Sequence, residues 1–287
     1  MKIFVFYDDY PTVVSADVID RRHSINTLVR SIKEQLSGVH EIVETADQAD
    51  MILVVGGDGF MVRTVKAYRH LNKPYLGINR GTIGFLLNDL EQPGLINELM
   101  TSAEFIEFPM LHAEIFDDMG QVLMATAFND VFTKTASAQS AKHRITVGGQ
   151  NLTRHFGTDT FCGDGIIIST PGGCTAYSRS AGGLAIFPDH HQFGFTPVCS
   201  YKPDRDIFLP LAIADDLLVE IEMVEEQKRR HIVIADNEPF MNVKKFTVRK
   251  SADSVKIGFA RAESYYKKSL AHFCQKRTIT NGGFRCA

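Results

Sequence analysis

The feature that most restricts this chain is an unbroken apolar run, Met51 to Val55, that stops abruptly at Gly56-Gly57-Asp58-Gly59. A short run with no polar alternation fits a strand covered on both faces, as in a parallel sheet. A helix is expected to follow from about Met61 to His70, and then a second strand over Pro74 to Ile78 that ends in the glycine-rich stretch Asn79-Arg80-Gly81-Thr82-Ile83-Gly84. Upstream, Lys2 to Phe6 is β-prone, and residues 14–36 carry Val18, Ile19, Ile25, Leu28, Val29, Ile32 and Leu36 near helical spacing. Strand, glycine turn, helix, strand is the pattern of a doubly wound α/β domain.

From about Phe105 the pattern changes to short β-prone stretches. These are Ala113 to Phe116, Val122 to Phe132, Arg144 to Val147, Gly165 to Ser169, Leu217 to Met223, His231 to Ala235, Phe246 to Arg249 and Val255 to Phe259. Turn residues such as Asp117-Asp118-Met119-Gly120 separate them, which predicts a β-rich, sandwich-like domain. The organisation read from this is an α/β domain over 1–105 carrying the glycine turn and a β-rich domain over 106–262. A C-terminal helix and tail over 263–287 is expected to pack back on the first domain. The tail from Arg277 is polar and expected to be loose.

Composition narrows the function class. Lys and Arg total 31 against 34 Asp and Glu, a formal charge of -3. A general polyanion binder needs a basic excess to displace counterions, so nucleic acid is not an expected partner. No apolar run is long enough for a membrane span, and the start, MKIFVFYDDY, lacks the form of a signal peptide. Cys162, Cys174, Cys199, Cys274 and Cys286 are odd in number and form no CxxC pair. Inert thiols in a reducing cytoplasm are therefore expected rather than a disulfide framework or zinc site. Walker-type, GxGxxG, HExxH and GxSxG motifs are all absent. The basic run Lys228-Arg229-Arg230-His231 reads as a solvated turn.

Three segments carry chemistry. In the first, glycines around Asp58 let a ligand approach the backbone, and the helix start behind them offers free N–H groups to phosphate. The alternative is a tight turn in which Asp58 caps the helix. The second, Gly77 to Leu86, is another close-approach loop at the end of a neighbouring strand, where open α/β sheets bind ligands. The third, Gly163 to Gly183, crowds glycines and hydroxyls around Tyr177, a flat face for a nucleotide. Its alternative is a strand with a glycine-rich turn.

Together these motifs resemble the NAD kinase family, which is marked by GGDG, GxNxGxxGFL, an Asn-Glu pair and GDGxxxSTPxGxTAYxxSxGG. Here they stand as Gly56 to Gly59, Gly77 to Leu86, Asn129-Asp130 and Gly163 to Gly183, spanning about 51–183. The likeness continues more weakly through Leu209-Pro210 and Ala235-Asp236-Asn237. GGDG alone is less specific, since related lipid kinases carry it. The resemblance implies transfer of a phosphoryl group from ATP or polyphosphate to the adenosine-ribose 2′-hydroxyl of NAD. Mg²⁺ would be the metal, with no assigned ligands, and the protein a homo-oligomer (dimer or tetramer). Asp58 would be the general base. The dinucleotide or donor would be held by Gly57, Gly59, Asn79, Asn129, Asp130, Cys162, Asp164, Gly172, Thr175, Ala176, Tyr177, Ser180 and Asn237. Arg63, one turn into the helix, could reach phosphate or simply face solvent, and Lys142 is a similar candidate.

Several positions depart from the family pattern. Asp130 stands where glutamate is usual, a methylene shorter; Phe60 replaces a small polar residue; Gly172 and Cys174 replace more polar ones. An ångström of misplacement is enough to alter rate or preference. Two further readings stay open on these grounds: a paralogue that binds dinucleotide as a sensor without turnover, and a GGDG kinase acting on a lipid or another nucleoside.

Overall fold

The computed structural model describes residues 1–8, 16–225, 227–274, 277–280 and 283–286. The chain divides into two compact units, one formed by Met1–Glu107 with Val255–Ala287 and the other by Phe108–Ser254.

In the first unit, β1 (Lys2–Tyr7), β2 (Glu41–Val43), β3 (Met51–Gly56) and β4 (Tyr75–Asn79) pair in parallel in the order β2-β1-β3-β4. Ile257 and Gly258 extend the ladder, parallel to Tyr75 and Leu76. Helix α1 (Ala16–Ser37) follows β1, α2 (Asp58–Tyr68) follows β3, and α3 (Ile96–Ser102) comes after β4. The helical expectation began at residue 14, and positions 14–15 lie outside the described residues.

Strand alternation sorts the two faces. Ile3, Val5, Leu53, Val55, Leu76 and Ile78 form one core with Val29, Ile32 and Leu36 of α1 and Ile96, Leu99 and Met100 of α3. Phe4 and Phe6 point the other way, where Phe6 stacks 5.1 Å from Phe60 and both phenylalanines meet Tyr68 of α2 edge-on. Helices thus cover both faces, which is why Met51–Val55 needs no polar alternation. Each such fully buried aliphatic side chain contributes about 1.5–3 kcal/mol. The strand order reverses direction between β1 and β3, and the first glycine turn leaves the sheet at the carboxyl end of β3. That is the topological switch point at which open α/β sheets take ligands.

Helix α2 starts at Asp58, three residues before its expected start, because Gly57 adopts an extended conformation and becomes the N-cap. A further helix, Ala262–Cys274, starts with the Ala262 N–H donating to Glu104 Oε2 (2.7 Å) and buries Tyr265 against Phe259. Residues 275–276, which follow it, lie outside the described residues. The tail, expected to be loose, instead pairs Arg277–Thr280 antiparallel with Gly283–Cys286.

The second unit is a β-sandwich. One sheet runs β13-β12-β11-β7-β15-β16 and is antiparallel throughout, using β7 (Asp130–Thr135), β11 (Gly165–Ser169), β12 (Gln192–Val198), β13 (Leu211–Ala214), β15 (His231–Ala235) and β16 (Glu238–Met241). The other contains β8 (Ala141–Val147), β10 (Phe161–Gly163), β14 (Val219–Met223) and β17 (Val243–Phe259), with the short β9 (Gln150–Asn151) against β8. The long β5 (Glu104–Asp117) pairs with β17 and with β6 (Val122–Ala127). Inward residues of both sheets, among them Val131, Ile145, Ile166, Phe195, Ile221, Val233 and Phe246, make one core.

Two strand expectations and one turn expectation change. Val122 to Phe132 is two strands, broken where Phe128 and Asn129 turn to donate their N–H groups to Asp236. Phe246 to Arg249 and Val255 to Phe259 are one strand, whose intervening residues Lys250 to Ser254 are exposed or half-buried on both faces. His231 is not part of a solvated turn; it is 3% exposed at the start of β15, its ring 4.9 Å from buried His143. Burial holds both imidazoles neutral, with pKa values lowered to about 4 for His231 and about 3 for His143.

Candidate functional site

Asp58 is the only residue with a side chain in the Gly56–Gly59 turn, and the structure gives it a definite task. Its carboxylate accepts the N–H of Phe85 through Oδ2 (3.1 Å) and that of Leu86 through Oδ1 (2.9 Å). The alternative of a simple helix cap is thereby replaced: Gly57 occupies the cap, and Asp58 reaches across to the second glycine loop. As at any helix start, the first N–H groups of α2, those of Asp58 and Gly59, have no intrahelical acceptor. Gly59 is exposed, and a Cβ there would meet nothing closer than Arg63 Nη1 at 4.0 Å. Space above that backbone is therefore open to a ligand.

The two loops touch through bare backbone. A Cβ on Gly81 would lie 3.2 Å from the Gly57 Cα, and the Arg80 N–H donates to the Gly56 carbonyl (2.8 Å). Asn79 organises the second loop from within. Its Oδ1 accepts the Gly81 N–H (2.9 Å), and its Nδ2 donates to Asp89 Oδ1 (2.8 Å) and the Ile83 carbonyl (3.4 Å). Gly84 has φ +69°, and a Cβ there would meet the Asn79 side chain at 2.4 Å, so the position needs glycine. Asn88 ties the loop's far end to β4, donating to the Gly77 carbonyl (3.0 Å) and accepting from the Ala260 N–H (2.7 Å). Arg63 is exposed on α2, over the Phe60 ring and 3.8 Å from Asp8.

The second unit gathers its own polar cluster. Asp130 opens β7 and is 4% exposed. Burial, with the Asp236 charge adding to it, raises the Asp130 carboxyl to a pKa of about 7. Asp236, at φ +53°, accepts the N–H groups of Phe128 (2.9 Å) and Asn129 (2.8 Å). Tyr177 begins α4 (Tyr177–Ser180) and is exposed, its ring edge-on to Phe132 at 5.0 Å. Its phenol is raised by burial first, and then by Asp164, Cys199 and Asp130. Asp164, Cys199 and Asp130 therefore each stand within electrostatic reach of Tyr177. Asp164 and Asn237 are exposed, Asn129, Thr175 and Ala176 partly so, and Ser180 is exposed at the end of α4.

Other candidates have structural duties. Gly172 is buried, and a Cβ there would meet the Phe128 ring at 2.9 Å and Phe108 at 3.4 Å. The polar side chain usual at this position has no room beside those rings. Lys142 and Cys162 are register partners across β8 and β10, and the Lys142 ammonium is engaged by Glu225 Oε1 (2.5 Å). Sequence reasoning selected Asn237 and passed over its neighbour Asp236, and it missed Cys199 and Phe132. The signal for Asp236 was present, since an acid in a tight turn between two strands is a natural cap for nearby N–H groups.

Among the described residues no three His, Cys, Asp or Glu side chains gather as a metal cage. Mg²⁺ in phosphoryl-transfer sites takes one or two carboxylates and completes its shell with phosphate oxygens and water. The carboxylate of Asp58 fits that sparse donor set.

Known proteins match this chain along most of its length. A family model described as the ATP-NAD kinase N-terminal domain matches residues 14–101, and one described as the ATP-NAD kinase C-terminal domain matches 128–257. The NAD kinase of Rickettsia bellii is 32% identical over 238 residues, 82% of this chain and 89% of that protein. That of Rickettsia canadensis is 30% identical over 78% of this chain and 84% of its own length. Among solved structures, an NAD kinase from Archaeoglobus fulgidus in complex with ATP superposes with a TM-score of 0.70 at 22% identity, covering 95% of this chain and 98% of that one. Yeast NADH kinase complexed with NADH gives 0.73 at 18%, covering 98% and 90%. The fold is theirs, and on the family models and the Rickettsia relatives this chain belongs to the NAD kinase family and is an enzyme of that kind.

Proposed function

We propose that the enzyme transfers the terminal phosphoryl group of ATP to the 2′-hydroxyl of the adenosine ribose of NAD, with Asp58 as the proton acceptor. The observation that carries this reading is the Asp58 carboxylate, fixed by the Phe85 and Leu86 N–H groups in a turn otherwise bare of side chains. A ribose hydroxyl is a weak nucleophile at neutral pH. As its oxygen bonds to phosphorus, the bond to the ADP leaving oxygen breaks and the hydroxyl proton passes to Asp58. Each carboxylate oxygen has acceptor capacity left beyond its one backbone hydrogen bond. General-base assistance of this kind contributes about 10²–10⁴ in rate. The rest is positioning and charge neutralisation. The N–H groups at the start of α2 and Arg63 supply part of the latter to phosphate.

A divalent cation, Mg²⁺ in this reading, supplies charge neutralisation when carried on the donor's phosphates. The pyridine dinucleotide is held by the second unit's cluster of Asn129, Asp130, Asp164, Thr175, Ala176 and Tyr177, with Ser180 and Asn237 at its edge. Polyphosphate as donor is tested by the same assay. The enzyme acts as a homo-oligomer, supported by the exposed apolar edge strand β6. It works in the cytoplasm, supported by the free thiols of Cys162, Cys174, Cys199 and Cys274 among the described residues.

Product formation from NAD or NADH with ATP, other nucleoside triphosphates and polyphosphate, each with Mg²⁺, checks the reading. NADP is expected from NAD and ATP, and Asp58→Asn should lower kcat at least about 100-fold. Full activity in that variant would remove Asp58 as the base. Saturable NAD binding without product from any donor would favour the sensor instead.

A further inference from the structure

The helix Ala262–Cys274 contributes one side chain that the reaction as described does not use. Lys268 directs its ammonium group into the second glycine loop and finds three acceptors. They are the Gly84 carbonyl (3.3 Å), the Leu87 carbonyl (3.2 Å) and Asp89 Oδ2 (2.9 Å). An ammonium group has three N–H donors, so its capacity is filled. A lysine on a solvated helix face ordinarily keeps one loose ion pair of small value. This one brackets residues 85 and 86, whose N–H groups hold Asp58.

The connection is made through a single peptide unit. The Gly84 carbonyl and the Phe85 N–H belong to the same amide, and in a trans amide they point in opposite directions. Lys268 binds the oxygen end, while Asp58 accepts from the nitrogen end. A cation at one end and an anion at the other polarise the amide in the same sense, and each hydrogen bond strengthens the other. Asp89 completes the clamp. Burial alone would raise its carboxyl, but hydrogen bonds from Asn79 and Lys268, with the Lys268 charge, outweigh that and hold it below the usual carboxylate range. Through Asn79 the same clamp reaches the Gly81 N–H, at the point where the two glycine loops meet. The ring of His272, one turn further along the helix, packs edge-on 4.8 Å from Phe85.

We infer that Lys268 is a positioning residue for the phosphoryl transfer: by clamping the 84–89 loop it aims the Phe85 and Leu86 N–H groups that orient the Asp58 carboxylate. This rests on the reading of Asp58 as proton acceptor. Lys268 touches no reacting atom. Its loss therefore acts on turnover more than on dinucleotide binding, since misplacing a reacting group by about an ångström is enough to cost up to 10²-fold.

The test compares the full-length enzyme with Lys268→Met, Lys268→Gln, Lys268→Arg and Asp58→Asn, by steady-state kinetics with NAD and ATP and by amide hydrogen exchange at Phe85 and Leu86. Lys268→Met should lower kcat about tenfold, leave KM for NAD within about twofold, and speed exchange at both amides. Lys268→Arg, which keeps the charge and the donors, should recover most of kcat. Lys268→Gln replaces Lys268→Met if the latter does not fold, with the same expectations. A Lys268→Met or Lys268→Gln enzyme with unchanged kcat, or with lowered kcat and unchanged exchange at these amides, overturns the inference. So does Lys268→Arg if it is as slow as Lys268→Met. The two readings fail differently. Full activity in Asp58→Asn removes the base and with it this role for Lys268. Unchanged exchange in Lys268→Met beside an inactive Asp58→Asn removes the Lys268 role alone.

Discussion

Asp130 sits where its charge is opposed from two directions, by burial and by Asp236. Its folded pKa of about 7 lies above the ordinary value of 3.8, so the fold retains a proton that the unfolded chain has released. Stability from this group is complete below about pH 4 and is lost as pH rises through 7, falling between those limits by about 1.4 kcal/mol for each tenfold drop in proton activity. Asp130→Asn should flatten that fall. Urea denaturation at several pH values from 4.5 to 8 checks it, and a variant that declines as steeply as the parent would refute it. A protonated Asp130 can also donate a hydrogen bond. At this scale the sequence disclosed residue types better than partners. Asp58 stood out because glycines surround it, but its bonds to Phe85 and Leu86 depend on the register of β3 against β4, which no local pattern records. Asp236 could be read as an acid in a turn between strands, but its partners could not, because they depend on the left-handed conformation that aims it at Phe128 and Asn129.

Between elements, the second glycine loop is fitted to its surroundings with almost no slack. A Cβ on Gly77 would lie 2.2 Å from Leu87 Cδ2, 2.7 Å from Met61 Cε and 3.1 Å from the Leu86 carbonyl. Gly77→Ala should therefore push the loop away from α2, costing about 1–3 kcal/mol of stability by overpacking. It should also lower kcat, because Leu86 carries one of the Asp58 donors. Thermal melts alongside kinetics check both, and a stable, slow variant would separate the loop's position from its strength. The element pattern itself was readable where periodicity and glycine agreed, as at Met51–Val55 and Gly165–Ser169. It failed where polar residues interrupt a solvated strand, as in β17. It also failed where one apolar stretch contains a turn held by a distant carboxylate, as between β6 and β7.

Across the whole molecule, β6 pairs with β5 alone among the described residues and leaves Val122 (47%), Leu123 (40%) and Met124 (60%) exposed. An apolar free edge invites pairing with another copy unless something covers it. Light scattering should give a mass of at least twice 32.0 kDa. Val122→Lys with Met124→Lys should shift it toward the single chain; a parent that is already monomeric would rule out this use of the edge. The two-class division into an α/β part and a β-rich part was legible from the change of pattern near Phe105. The return of residues 255–274 to the first unit was less so, because the parallel pairing of Ile257 and Gly258 with Tyr75 and Leu76 joins distant stretches without a local signal.

That return has a consequence during synthesis. When residue 107 leaves the ribosome, the open side of β4 still lacks the strand that will cover it, and Lys268 has not been made. At ordinary elongation rates the wait is roughly 10–30 s, during which the sandwich emerges in full while the nascent first unit carries a bare sheet edge. The Gly56–Gly59 turn is thus among the first parts translated and among the last to be locked.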